Sequence, residues 1–205
     1  MKERPILFSA PMVRAILAGK KTQTRRIVKP QPEWAEGAWY WCHPRYNNGL
    51  GVHYFHTDAE SAAEKMATVC PYGVAGDRLW VRETYRSWMG SHDAGSPRCI
   101  AYKADGGEIA MPWKPSIYMP RMLSRITLEV VAVRVERLQD ITESDAEREG
   151  FERSFEPDGS EYGAELTTAC EAFEALWHKI NGADSWTANP WVWVVEFRSL
   201  YGGAA

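Results

Sequence analysis

A chain of 205 residues, 45% hydrophobic and 25% charged, can bury one sizeable core or at most two small ones. Its formal net charge of −3 argues against a protein that coats long duplex DNA through phosphates, and leaves open a nucleotide or a short RNA element held by a local basic patch. No apolar run is long enough to span a bilayer, the four scattered cysteines fit reduced thiols, and the segment Met1 to Pro5 leads into no cleavage-site pattern, so a cytoplasmic protein without a membrane partner is expected.

Ile6-Leu7-Phe8 reads as a short strand. Ser9 is placed to cap a helix, Pro11 falls in its first turn, and Met12, Ala15 and Ile16 repeat at helical spacing up to Gly19. The stretch Ala18 to Arg26 then packs two lysines, two threonines and two arginines behind a glycine turn. As a strand it puts Thr22, Thr24 and Arg26 on one face and Gln23 and Arg25 on the other, with Lys21 in the preceding turn. Lys20, Lys21, Arg25, Arg26 and Lys29 make a basic patch. Spacing alone reads as a solvated edge strand with a basic tip.

From Lys29 to about Ala75 prolines and glycines break the pattern, and aromatic residues crowd in. This reads as an insertion that covers a pocket. Cys42-His43, His53-x-x-His56 and Cys70 match no zinc-ligand spacing, so no metal is expected. Most of the ten tryptophans are expected to be core.

Gly76 to Tyr85 is a turn feeding a strand, with Leu79, Val81 and Glu83 on one face and Trp80, Arg82 and Thr84 on the other. Glu83 and Arg82 are open to two readings, a pocket role and an interstrand salt bridge. Residues 86–98 read as loop, Cys99 to Lys103 as a strand, and the region of Pro112, Pro115 and Pro120 as another loop. The longest strand runs from about Ser124 to Leu138. Its apolar register moves from Ile126, Leu128 and Val130 to Val131, Val133 and Val135, the mark of a β-bulge. Thr142 caps a short helix that stops at Gly150. Glu149 sits in its last turn, where the helix dipole disfavours a carboxylate unless a cation meets it. Residues 151–163 read as acidic loop. Leu166 to Ile180 forms an amphipathic helix with His178 beside its stripe, as a structural or surface residue. Trp191 to Leu200 is an inner strand, and residues 201–205 are a frayed tail. Together the elements predict an α+β fold, a small mixed barrel with peripheral helices.

Gly19-x-Lys21-x-x-Thr24-x-Arg26 resembles the signature of the ASCH domain, a PUA-like β-barrel associated with RNA. Gly76 to Glu83, the helix Ile141 to Gly150 and the strand Val192 to Phe197 extend the resemblance, which is nearest to a longer, phage- or prophage-type branch. It implies one ASCH domain over residues 1–200, with 29–75 as an elaboration. One bacterial group in the family hydrolyses the amide of N4-acetylcytidine with a lysine, a threonine and a glutamate. The matching positions are Lys21, Thr24 and Glu149, with Glu147 one step away as the alternative. Arg26, Thr22, Trp80 and Glu83 are the candidate substrate-binding residues. No cofactor or metal is implied, and the partner is a nucleoside, nucleotide or RNA. The competing reading is a non-catalytic binder of RNA or a modified base. A ribonuclease is a weaker third, because no histidine pair or acidic metal cluster stands out.

Overall fold

The computed structural model describes residues 1–35, 37–42, 52–55, 58–89, 98–107, 111–152, 154–157 and 164–200. In chain order its first elements are β1 (Glu3–Leu7), α1 (Ala10–Leu17), β2 (Gln23–Ile27), β3 (Glu33–Ala35), β4 (Ala38–Cys42), β5 (Val52–Phe55) and α2 (Ala59–Ala67). Then follow β6 (Arg78–Arg82), β7 (Tyr85–Met89), β8 (Arg98–Tyr102), β9 (Thr127–Arg137) and α3 (Glu143–Arg148). The chain continues with β10 (Ser154–Pro157), β11 (Ala164–Thr167), α4 (Ala169–Asn181) and β12 (Trp191–Ser199). The fold is a mixed α+β arrangement.

Five strands form the main sheet in the order β1-β6-β9-β12-β2. β1 runs parallel to β6, and the other pairs are antiparallel. β12 lies inside because it is apolar on both faces. Trp193, Val195 and Phe197 join the main core with Ile6, Leu79, Val81, Leu128 and Val130. Val192 and Val194 face a second cluster with Leu138, Ala146, Phe173 and Trp177 from the helical layer. Directly paired residues share a face. Thr24 and Arg26, opposite Val195 and Trp193, therefore point towards the main core, while Arg25 and Ile27, opposite Val194 and Val192, point towards α3 and α4.

The sheet is strongly curled. In a flat sheet four interstrand spacings would hold β1 and β2 about 19 Å apart. Here the Arg26 guanidinium donates to the Leu7 carbonyl at 2.7 Å. Phe8, just beyond β1, lies under Arg26 and 6.0 Å from the Phe197 ring. No backbone ladder joins β1 to β2 among the described residues, so side chains and not a strand pair fill this gap. Part of the curl comes from the bulge expected in the long strand. Ala132 pairs with Glu196 and Val130 with Phe197, which leaves Val131 as the extra residue, half exposed.

Three expectations need correction. The insertion is not structureless: it holds the antiparallel set β3-β4-β5 and helix α2, capped by Asp58. Trp41, Ala62 and Met66 from this segment are buried in the main core, and Trp41 meets Trp193 edge-on at 5.7 Å. Its strands are too short for an alternating pattern to show. Of the expected loop 86–98, residues 86–89 belong to β7, paired with β8, and 90–97 lie outside the described residues. The boundaries before α4 shift as well: within the expected loop 151–163, Ser154–Pro157 form β10 paired with β11, Leu166 belongs to β11, and the helix begins only after Thr168, whose side chain forms a reciprocal cap with Glu171. The expected tail at 201–205 lies outside the described residues.

Candidate active site

The site is assembled where α1 ends, α3 ends and β2 begins. After α1 the chain turns at Gly19, and the amides of Lys20 and Lys21 donate back to the Ala15 carbonyl. Thr22 is pinned by its backbone on both sides: its N–H donates to the Arg148 carbonyl and its carbonyl accepts from the Phe197 N–H, each at 2.8 Å. α3 starts with a reciprocal cap between Thr142 and Asp145 and ends at Glu149. Gly150 then takes φ +94°, and a Cβ there would stand 3.0 Å from the Ala15 Cβ and 3.2 Å from the Lys21 Cβ. Only glycine allows the end of α3 to press this closely on Lys21.

The result is a buried ion pair. Lys21 Nζ donates to Glu149 Oε2 at 2.6 Å and to the Glu149 carbonyl at 2.8 Å. Lys21 is 2% exposed and Glu149 4%. This cation meets the carboxylate at the helix end that the dipole disfavours, and Arg25 stands behind it, with Nη1 3.6 Å from Glu149 Oε1. Glu149 Oε1 is buried and has no hydrogen-bond donor among the described residues. Burial pushes the Lys21 amine below its ordinary value; Glu149 opposes that shift, and Arg26 and Arg25 add to it.

Arg25 is the hub of the charges around the pair. Its fully buried guanidinium reaches Glu136 at 2.5 Å and Asp145 at 3.2 Å. Arg134 bonds the same two carboxylates, at 2.9 and 3.0 Å. Burial alone would raise the Asp145 carboxyl, but the Thr142 hydroxyl and amide together with Arg25 and Arg134 hold it down at about 2.

A cavity of about 450 Å³ wraps round β2 beside this pair. Thr24, Arg26 and Lys29 line it from β2 and its exit, and Glu149 from the end of α3. Trp41, Pro71 and Tyr72 line it from the insertion, Trp193 from β12, and Phe173, Trp177 and Ile180 from α4. Lys21 lies behind the wall, against Glu149. A hydroxyl and a carboxylate thus line one pocket with several aromatic side chains, of a size that suits small organic ligands.

Of the residues singled out from sequence, the structure groups Lys21, Thr24, Glu149 and Arg26 here. Glu147 is exposed, so the one-step choice falls on Glu149. The other three residues lie outside the cavity wall. Thr22 serves through its backbone. Glu83 is buried and takes two hydrogen bonds from Arg125, at 2.9 and 3.0 Å, which is the salt-bridge reading of that residue. Trp80 stands on the outer face of β6 between the Arg82 and Arg121 guanidiniums. His178 sits on α4 with Nε2 3.4 Å from Glu174 and does not line the cavity.

Of the cysteines and histidines weighed as metal ligands, Cys70 is buried and its sulfur accepts from the Tyr72 amide, with burial raising the thiol to about 12. The side chains of Cys42, His43, His53 and His56 lie outside the described residues. Among the described residues no cluster of His, Cys, Asp and Glu has the makings of a metal site.

Sequence reasoning missed Arg25 as a hub, Trp41 and Tyr72 as wall, and the whole α4 face. For Arg25 a signal existed: strand alternation put it opposite Thr24, on the side where the acidic helix had to pack. No helix among the described residues is long and apolar enough to cross a membrane. No family model, curated protein or solved structure matches this chain, so its functional reading rests on the geometry of the site.

Proposed function

We propose that the protein is an amidohydrolase that removes the acyl group from an N4-acylated cytidine-type nucleoside or nucleotide, built on an ASCH-like variant of the PUA barrel in which the insertion supplies part of the pocket wall. Thr24 and Glu149 line one cavity with Lys21 bonded to Glu149 behind its wall, and this arrangement carries the reading.

The Lys21–Glu149 pair holds one proton that either partner can carry. The pair rests charged, and burial, which lowers the Lys21 amine, favours passage of this proton to its partner once a substrate seals the cavity, leaving a free amine facing a carboxylic acid. In that form both groups are armed. The amine takes the hydroxyl proton of Thr24 as its Oγ attacks the acyl carbonyl. Glu149 gives its proton to the N4 nitrogen as the C–N bond breaks, and the cytosine amine leaves. The acyl group is then an ester on Thr24. Water attacks it and gives a proton to Glu149, the Lys21 ammonium returns a proton to Thr24 Oγ as the ester C–O bond breaks, and a carboxylic acid and free Thr24 are released with the pair again holding one proton. Trp41, Tyr72 and Trp193 offer aromatic surface to the base. Arg26 and Lys29 place positive charge at the wall for a carbonyl or phosphate.

The test is N4-acetylcytidine turnover followed by absorbance, with wild type, Lys21→Ala and Glu149→Gln compared after thermal unfolding confirms folded protein. Loss of about 100-fold or more in both variants supports the enzyme. Wild-type protein that binds the nucleoside without turning it over would instead identify a non-catalytic reader of the modified base.

A further inference from the structure

β2 is the last strand of the main sheet and, among the described residues, pairs only with β12. The ladder is pinned at both ends. The Phe197 N–H donates to the Thr22 carbonyl at 2.8 Å, and the Val28 N–H to the Trp191 carbonyl at 3.0 Å. In an antiparallel pair, bonded residues alternate with unbonded ones. Thr22, Thr24, Arg26 and Val28 therefore bond to β12, and the N–H and C=O groups of Arg25 and Ile27 point away from it. None of these outward groups has a hydrogen-bond partner among the described residues. Both residues nevertheless line the cavity. The side chain of Arg25 is 0% exposed and the whole residue 4%, so what it presents there is backbone. The cavity thus lies where a further strand would pair. Trp41, Tyr72 and Trp193 wall it on one side of the sheet, and Phe173 and Trp177 on the other.

We infer that this strand edge reads the base of the substrate: the Arg25 carbonyl accepts from the amide N4–H, and the Ile27 N–H donates to the ring nitrogen N3. The inference rests on the hydrolytic reading of the cavity and adds what selects the substrate. On one edge of an extended strand, the carbonyl of a residue and the N–H of the next but one lie side by side. An acylated aminopyrimidine carries the complementary pair, a donor on the amide nitrogen beside an acceptor in the ring. An acylated aniline or alkylamine carries the donor alone and leaves the Ile27 N–H unpaired in a buried place. A flat ring that extends the sheet meets aromatic side chains on both of its faces. Arg25 follows Thr24 directly, so an amide held at the Arg25 carbonyl is one residue from the attacking hydroxyl. The substrate class is then amides whose N–H adjoins a ring nitrogen, selected by main chain and not by a side chain.

The experiment compares kcat/KM for N4-acetylcytidine and its 3-deaza analogue, in which a C–H replaces N3, on wild type and Ile27→Pro. Proline deletes an N–H that faces away from β12, which an edge strand tolerates, and urea unfolding confirms a folded variant. Wild type is expected to prefer N4-acetylcytidine by about 100-fold or more. Ile27→Pro should shrink that preference by about tenfold or more. The difference between the two leaving amines is common to both proteins and cancels. The same preference in both proteins would overturn the inference. If Ile27→Pro does not fold, the Ile27 amide resonance of isotope-labelled wild type decides. A downfield move with cytidine that 3-deazacytidine does not produce supports the inference, and the same response to both refutes it. If wild type hydrolyses neither compound, the hydrolytic reading fails by itself. Kd values of cytidine and 3-deazacytidine on the two proteins then decide the edge: a preference lost in Ile27→Pro supports it, and an unchanged preference refutes it.

Discussion

Replacing Lys21 by methionine keeps the length of the side chain and removes its charge. Glu149 is then left buried with its Oε2 and carbonyl both without the Lys21 donor. Breaking a buried pair from one side costs about 3–5 kcal/mol. Arg25, 3.6 Å from Oε1, offsets part of this, so the lower end, about 3 kcal/mol, is expected. For a chain of 205 residues that corresponds to a fall in Tm of about 6–12 °C. Adding Glu149→Met removes the stranded carboxylate. Arg25 keeps Glu136 and Asp145, so no new orphan charge appears. The double variant should therefore recover most of the loss and sit within about 1 kcal/mol of wild type, the residue reflecting the lost bond to the Glu149 carbonyl. Urea unfolding of the wild type, both single variants and the double variant measures this cycle. Two losses that simply add in the double variant would show that the residues do not form a coupled buried pair, and the reasoning about the site would fall with it.

Asp145 titrates near 2 in the folded protein against an ordinary value near 3.8, so its contribution is complete above 3.8 and is lost as pH falls through 2. Acid unfolding of Asp145→Asn should accordingly lack a share of about 2 kcal/mol that the wild type loses over that window. Gly150→Ala forces a Cβ to within 3.2 Å of the Lys21 Cβ at a φ that favours glycine, so a loss of about 1–3 kcal/mol is expected in urea, with a lower kcat as Lys21 is displaced. Glu147→Gln should turn over N4-acetylcytidine like wild type while Glu149→Gln does not; the reverse result would move the proton donor to the exposed residue.

Much of the frame was readable because it follows local rules. The glycine turn, the cap at Thr142, the stop at Gly150 and the two-faced apolar run of β12 each depend on a few neighbouring residues. The bulge was readable because one extra valine shifts a long alternation. What the sequence hid depends on contacts between distant segments. Three short strands in the insertion have no period long enough to detect, and their register is set by pairing with one another. Arg25 looks like a solvated basic residue until α3 is packed over it, when it becomes the buried partner of Asp145 and Glu136. Trp80 and Glu83 carried pocket-like chemistry in sequence, yet alternation on β6 sends the tryptophan outward, and Arg125 on a separate segment claims the glutamate. The glutamate at position 149 was the most informative single residue, because a carboxylate at a helix C-terminus asks for a cation, and Lys21 supplies it.

The most direct measurement is mass spectrometry of the protein quenched during turnover of N4-acetylcytidine, with the Thr24 peptide sequenced. An acetyl ester on Thr24, absent in Thr24→Val together with turnover, is the expected result. Steady turnover with no acylated peptide and with full activity in Thr24→Val would contradict the assignment of that hydroxyl as the nucleophile.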